Sequence, residues 1–187
     1  MDGGGGRAEG APPSPCASTI GPHMRTADIR TLFDYMYWVN HRLLEHSADL
    51  PDSGFTAPSS VTTRDLRATL VHELDVEWSW RLNLQGRLEE DEAELDPSAY
   101  PSVAALAEHW QRDEAEMRGW LETLTDEQLA AEVISGLTDD RGPLWRYLVH
   151  IVVHATQQQA DAATLLSLAG RSPGELGFLD FTDTLAG

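Results

Sequence analysis

Cys16 is the only cysteine in the chain. One thiol excludes an intramolecular disulfide and any thiolate cluster for zinc or iron–sulfur, and it suits a reducing, cytoplasmic setting. Apolar runs are short, and none approaches the ~20 residues that cross a bilayer. Bases are scarce, 13 against 31 acids, giving a formal charge of −18. Removing residues 1–23, which hold Asp2, Glu9 and Arg7, leaves 29 acids against 12 bases, so the acidity belongs to the body of the chain. Such a field repels phosphate backbones and anionic lipid, which sets aside nucleic acid and membranes as partners. The loops of nucleotide and serine-hydrolase chemistry are missing too: there is no G-x-x-x-x-G-K-[ST], no G-x-G-x-x-G and no G-x-S-x-G. His72-Glu73 opens an H-E-x-x-H, but Val76 stands where the second histidine is needed.

What is present is helical periodicity. The 187 residues suit one domain and a tail. Residues 1–23 hold six of the 15 glycines and four of the 10 prolines, a composition that cannot offset its ordering entropy, so a disordered tail is expected there. Gly21–Met24 reads either as a cloning remnant or as the approach to a natural start at Met24, and the domain is expected over 24–187. A first helix over 27–48 follows from Ile29, Phe33, Met36, Tyr37 and Leu43 at three- and four-residue steps, with Thr26 as its cap. Leu66, Leu70, Leu74, Trp78 and Leu82 mark a second over 64–85, capped by Thr63 and closed by Gly86 in a left-handed conformation. A polar link with six carboxylates between Glu89 and Asp96 reads as a solvated loop or, less simply, a cation site.

The third helix is expected over 102–124, and Thr125 with Gln128 forms a capping box for a short turn. Val133–Gly142 reads as irregular. Pro143 then begins a fourth helix that runs to Leu168 and stops at Gly170. Phe178, Leu179 and Phe181 in the tail can pack back on the body. Four long helices without a convincing strand predict an all-α, up-and-down four-helix bundle. Six tryptophans (38, 78, 80, 110, 120, 145) spread over its helices as packing residues, with one or two free to line a ligand pocket.

Histidines are the remaining chemistry. His150 and His154, four apart, share one stripe of the fourth helix, and His72 interrupts the apolar stripe of the second. Two imidazoles from one helix and one from another make a three-nitrogen metal site; read blandly, the same residues are hydrogen-bonded core histidines. His23, His41, His46 and His109 read as ordinary tail or surface residues. Glu73, Asp75, Glu77 and Asp161 are candidates to orient an imidazole, or simply solvated face residues.

The segments Leu32-Phe33-Asp34-Tyr35 with Trp38-Val39-Asn40, Leu66–His72 with Glu77-Trp78, and Leu148–Gln158 followed by Gly170–Gly174 resemble, in order and spacing, the DinB-like (damage-inducible) family of metal-binding four-helix bundles. The resemblance spans roughly 24–185. It implies a divalent metal, zinc or nickel, with His72 and His154 at two ligand positions and Gln158 where the family's third histidine falls. A neutral amide oxygen is a weaker donor for these metals than imidazole. The set His72/His154/Gln158 keeps the family spacing, His72/His150/His154 keeps the better donors, and a metal-free pocket is the third alternative.

The resemblance further implies a small-molecule enzyme, a thiol-dependent S-transferase or a hydrolase. Relatives use bacillithiol or mycothiol, low-molecular-weight thiols that a metal would hold as thiolate, and Tyr35, Trp38 and Trp78 are expected to line the pocket. The rival expectation is a catalytically degenerate small-molecule-binding or dimerisation module whose metal site is weakened or absent. A homodimer is compatible with both.

Overall fold

A computed structural model describes residues 24–88 and 94–186. The expected disordered tail, with Cys16 and His23, and most of the acidic link lie outside the described residues.

Four long helices form the body: α1 (Thr26–Ala48), α3 (Leu66–Leu84), α4 (Val103–Thr123) and α6 (Leu144–Leu168). Between α1 and α3 comes the single turn α2 (Asp52–Phe55), whose Phe55 is buried. Asp65, two residues beyond the expected cap, starts α3 by accepting the Ala68 amide at 2.7 Å. Ser102 caps α4 in the same way. The box predicted at Thr125 and Gln128 is present and opens α5 (Asp126–Ala130). Gly86 and Gly170 stop α3 and α6 at φ of +65° and +75°, a conformation only glycine adopts cheaply.

Residues 133–142 are not irregular as expected. They contain an antiparallel hairpin, β1 (Glu132–Ile134) against β2 (Arg141–Pro143), with Val133 opposite Gly142. Pro143 therefore ends a strand and serves as the residue before α6 instead of its first turn. The predicted return of the C-terminal tail is present: α7 (Phe178–Leu185) buries Phe181 against Tyr35 and Trp38.

The helix count holds, but the up-and-down order does not. Around the bundle the order is α1–α4–α3–α6, with α1 diagonal to α3 and α4 diagonal to α6. Arg30 bonds the Leu121 carbonyl and His41 bonds Glu114, so α1 and α4 run antiparallel. Glu73 meets Gln159 while Trp80 stacks on Tyr147, so α3 and α6 are antiparallel as well. Glu77 meets Trp110 and Arg81 meets Asp113, which makes α3 and α4 parallel. The directions are thus up, down, down, up. The physical reason is the link: a tight antiparallel turn takes about 2–8 residues, whereas 85–102 is long enough to travel back the ~28 Å length of α3. The Asp75 carboxylate pins that return by accepting the Leu95 amide at 2.9 Å.

The core has two continuous parts. One end gathers Phe33, Met36, Met117, Leu148 and Ile151; the other gathers Leu43, Leu70, Leu74, Leu106 and Leu166. No described helix is long and apolar enough to cross a membrane.

Candidate functional site

The antiparallel seam of α3 and α6 brings two expected ligands together. The rings of His72 and His154 stand 5.1 Å apart, centre to centre, at 78° to one another. Two imidazoles bound to one tetrahedral zinc through nitrogens at about 2.0–2.1 Å hold their ring centres about 5 Å apart. Both are half-buried, and neither has a hydrogen-bond partner among the described residues. Part-exposed imidazoles with no protein partner are not tied down as core histidines and leave their ring nitrogens open to a cation or to solvent. Gln158, one turn beyond His154, is also half-buried.

His150 goes elsewhere. Its ring is 6.5 Å from that of His154, wider than a shared tetrahedral metal allows, and it packs edge-on against Trp80 at 5.1 Å. No three His, Cys, Asp or Glu side chains gather as a ready metal site among the described residues. The three-histidine set is therefore not assembled: two imidazoles meet, and Gln158 follows one turn after His154 on α6.

Electrostatics favour the ligating form of the pair. Burial lowers the His72 pKa below its ordinary value, helped by the Arg64 charge and opposed by Asp75 and Glu94. Burial, with His72, His150 and Arg64 around it, pushes His154 down to about 4. At neutral pH both rings are unprotonated and able to donate a lone pair.

Glu73, Asp75 and Glu77, expected on a solvated face or around an imidazole, are all buried, at 1%, 8% and 1% exposure. Glu73 and Glu77 line a polar seam inside the bundle, whereas Asp75 faces the return link. Tyr37 Oη and Trp110 Nε1 both donate to Glu77, the latter at 3.2 Å. Gln159 Nε2 reaches Glu73 Oε1 at 3.1 Å, Asn40 Oδ1 at 2.6 Å and the Met36 carbonyl at 3.2 Å. Arg81 donates to Asp113 in a fully buried ion pair. Burial raises Glu77 to about 8, and burial together with the neighbouring Glu77 charge raises Glu73 well above its ordinary value. A signal for this seam exists in the sequence: Glu73 and Glu77 continue the helical step of Leu66 and Leu70, which places them inward.

Two of the three aromatics expected to line the pocket lie elsewhere. Tyr35 and Trp38 pack under Phe178 and Phe181, and Tyr35 Oη donates to the Leu176 carbonyl at 2.8 Å. They meet α7 and neither histidine of the pair. His41 is tied to Glu114 at 2.7 Å and His109 to Tyr100 at 2.6 Å, consistent with ordinary roles. A cleft of about 460 Å³ opens between α1 and α4, across the bundle from the pair. Its carboxylates are already matched, Glu114 by His41 and Arg118 and Glu108 by Arg112. The undressed donors are at the His72/His154 seam, which is the better candidate.

Among solved structures, the chain is similar to the sibling lethal factor precursor DfsB, at 15% identity and a TM-score of 0.59 over 81% of this chain and 99% of that one. A conserved protein from Enterococcus faecalis aligns at 15% identity and a TM-score of 0.53, over 78% and 97%. YfiT from Bacillus subtilis, described as a probable metal-dependent hydrolase with an unusual four-helix bundle topology, aligns at 20% identity and 0.49, over 87% and 95%, and at that score adds no support for a shared activity. No curated protein matches the chain. The DinB family profile matches residues 24–185, the whole bundle from the start of α1 to the end of α7, and the chain belongs to the DinB family.

Proposed function

We propose that this protein is a metal-dependent enzyme that acts on a small molecule at the seam of α3 and α6. His72 and His154 hold a divalent metal, zinc or nickel, and the Gln158 carboxamide oxygen is the third donor. The observation that carries this reading is the 5.1 Å spacing of two half-buried imidazoles without hydrogen-bond partners. Burial keeps both rings unprotonated, so they donate at neutral pH without first losing a proton.

A bound metal there would supply Lewis acidity that lowers the pKa of a coordinated thiol or water. S-transfer with a low-molecular-weight thiol is the use of the site that we propose first, with hydrolysis as the alternative. Beside the pair, His150 and Val153 stand exposed on α6 and offer an apolar and aromatic wall to a small substrate.

One feature favours a second reading, a binding or dimerisation module that has lost catalysis: a neutral carboxamide stands where a third imidazole would hold the metal more firmly. Metal analysis of protein purified without a polyhistidine tag separates the two. Close to one zinc or nickel per chain, lost in His154→Ala, is the expected result. Absence of metal, together with no uptake on titration, would leave the binding module.

A further inference from the structure

Gln159 is the neighbour of a proposed ligand, yet it points into the core, where it is 3% exposed. Its amide nitrogen touches three acceptors on two other helices: the Met36 carbonyl and Asn40 Oδ1 on α1, and Glu73 Oε1 on α3. Glu73 in turn is the sequence neighbour of His72. One side chain of α6, five residues beyond His154, is thereby fastened to α1 and to α3 next to His72.

Apart from the histidine pair, the surroundings of this contact on the α3/α6 seam are apolar, with Leu74, Trp80, Tyr147, Leu148, Ile151 and Ala155 in the adjoining clusters. Hydrophobic burial is non-directional, and an apolar seam can be repacked at less cost than a set of buried hydrogen bonds can be broken. A slide of one residue moves a helix about 1.5 Å, whereas metal–ligand distances hold to about 0.2 Å. Directional bonds are what can fix the register. The cluster is also poor as a stabiliser: Asn40 Nδ2 and Glu73 Oε2 are buried without a hydrogen bond of good geometry, and leaving such atoms unpaired costs stability that an apolar core would not lose.

We propose that Gln159 is a positioning residue that locks α6 against Glu73 of α3 and Asn40 of α1, and so sets the spacing of His72 and His154. The proposal rests on the reading of that pair as metal ligands, but the lock itself exists without metal and can be read without it.

The test compares the native protein with Glu73→Gln, which keeps an oxygen that can accept from Gln159, and with Glu73→Met/Gln159→Met, which keeps volume and removes the polar bonds. The methionine pair leaves the buried Asn40 carboxamide unpaired and is expected to stay folded but melt below the native temperature, while binding zinc about 10–100-fold more weakly. Glu73→Gln should bind zinc as the native protein does. Gln159→Ala carries the same expectation of weakened binding should the methionine pair fail to fold. In the metal-free proteins, the nuclear Overhauser contact between the ring protons of His72 and His154 should be present in the native protein and Glu73→Gln and lost in the methionine pair. Should the native protein bind no zinc, the metal reading fails and this contact alone decides the lock. A folded methionine pair that keeps the ring contact and, where the native protein binds zinc, its affinity overturns the proposal.

Discussion

His72 and His154 face each other edge to face across two antiparallel helices, while His150, one turn from His154, leans on Trp80 instead. This division of three histidines predicts opposite outcomes for two substitutions. Gln158→His replaces an amide oxygen by imidazole at the same four-residue step from His154 and should tighten zinc binding by tenfold or more. His150→Ala should change zinc affinity less than about threefold, since that ring is outside the pair. Titration calorimetry on the two variants checks both. Loss of binding in His150→Ala with no gain in Gln158→His would put the metal one turn earlier on α6.

The Glu77 carboxyl, held between Tyr37 and Trp110, gives the fold a pH signature. Its pKa is about 8 in the folded protein against an ordinary 4.5. The folded state thus keeps a proton that the unfolded chain releases above pH 4.5, so this group's contribution to stability is full below that pH and is lost as pH rises through about 8. The melting temperature of the native protein should therefore fall relative to that of Glu77→Gln between pH 5 and pH 8. A constant difference between the two across that range would contradict the buried, protonated assignment.

The Arg81–Asp113 pair joins the parallel helices α3 and α4 with both side chains nearly sealed from solvent. Removing one partner strands the other charge. Asp113→Ala should cost about 3–5 kcal/mol, which lowers the melting temperature by roughly 10 °C. Arg81→Met combined with Asp113→Leu should recover most of that loss. Calorimetric melting of both variants decides it, and a single variant as stable as native would show that the pair is not desolvated.

Much of this was legible beforehand because local rules govern it. The four long helices lie within two residues of their expected limits; Gly86 and Gly170 end α3 and α6, and the Thr125/Gln128 box opens α5, as predicted. The approach of His72 to His154 was expected from spacing and family resemblance together, and the two rings do meet. Topology was not. Helical periodicity says nothing of direction, and the down–down step of α3 and α4 depends on a return link pinned by a carboxylate, Asp75, whose burial depends on that link. The hairpin was hidden because its strands are three residues long, too short to show alternation. Glu73 and Glu77 were misread for a related reason: charge in an apolar stripe flattens the pattern that reveals a buried face, and only partners distant in sequence, Gln159, Tyr37 and Trp110, make them tolerable there.

Thermal melting with and without zinc, in the native protein and in His72→Leu, probes the pair itself. A ligand that binds only the folded state stabilises it by RT ln(1 + [M]/Kd), about 2.7 kcal/mol at one hundred times Kd, or roughly 5–10 °C for a chain of this size. Because His154 sits at about 4 and His72 also lies below its ordinary value, protons compete weakly with metal near neutrality. The predicted result is a zinc-induced rise in the native protein that persists at pH 6, fades toward pH 4, and is absent in His72→Leu at every pH. An equal rise in both proteins would place the metal away from His72 and contradict the metal site described here.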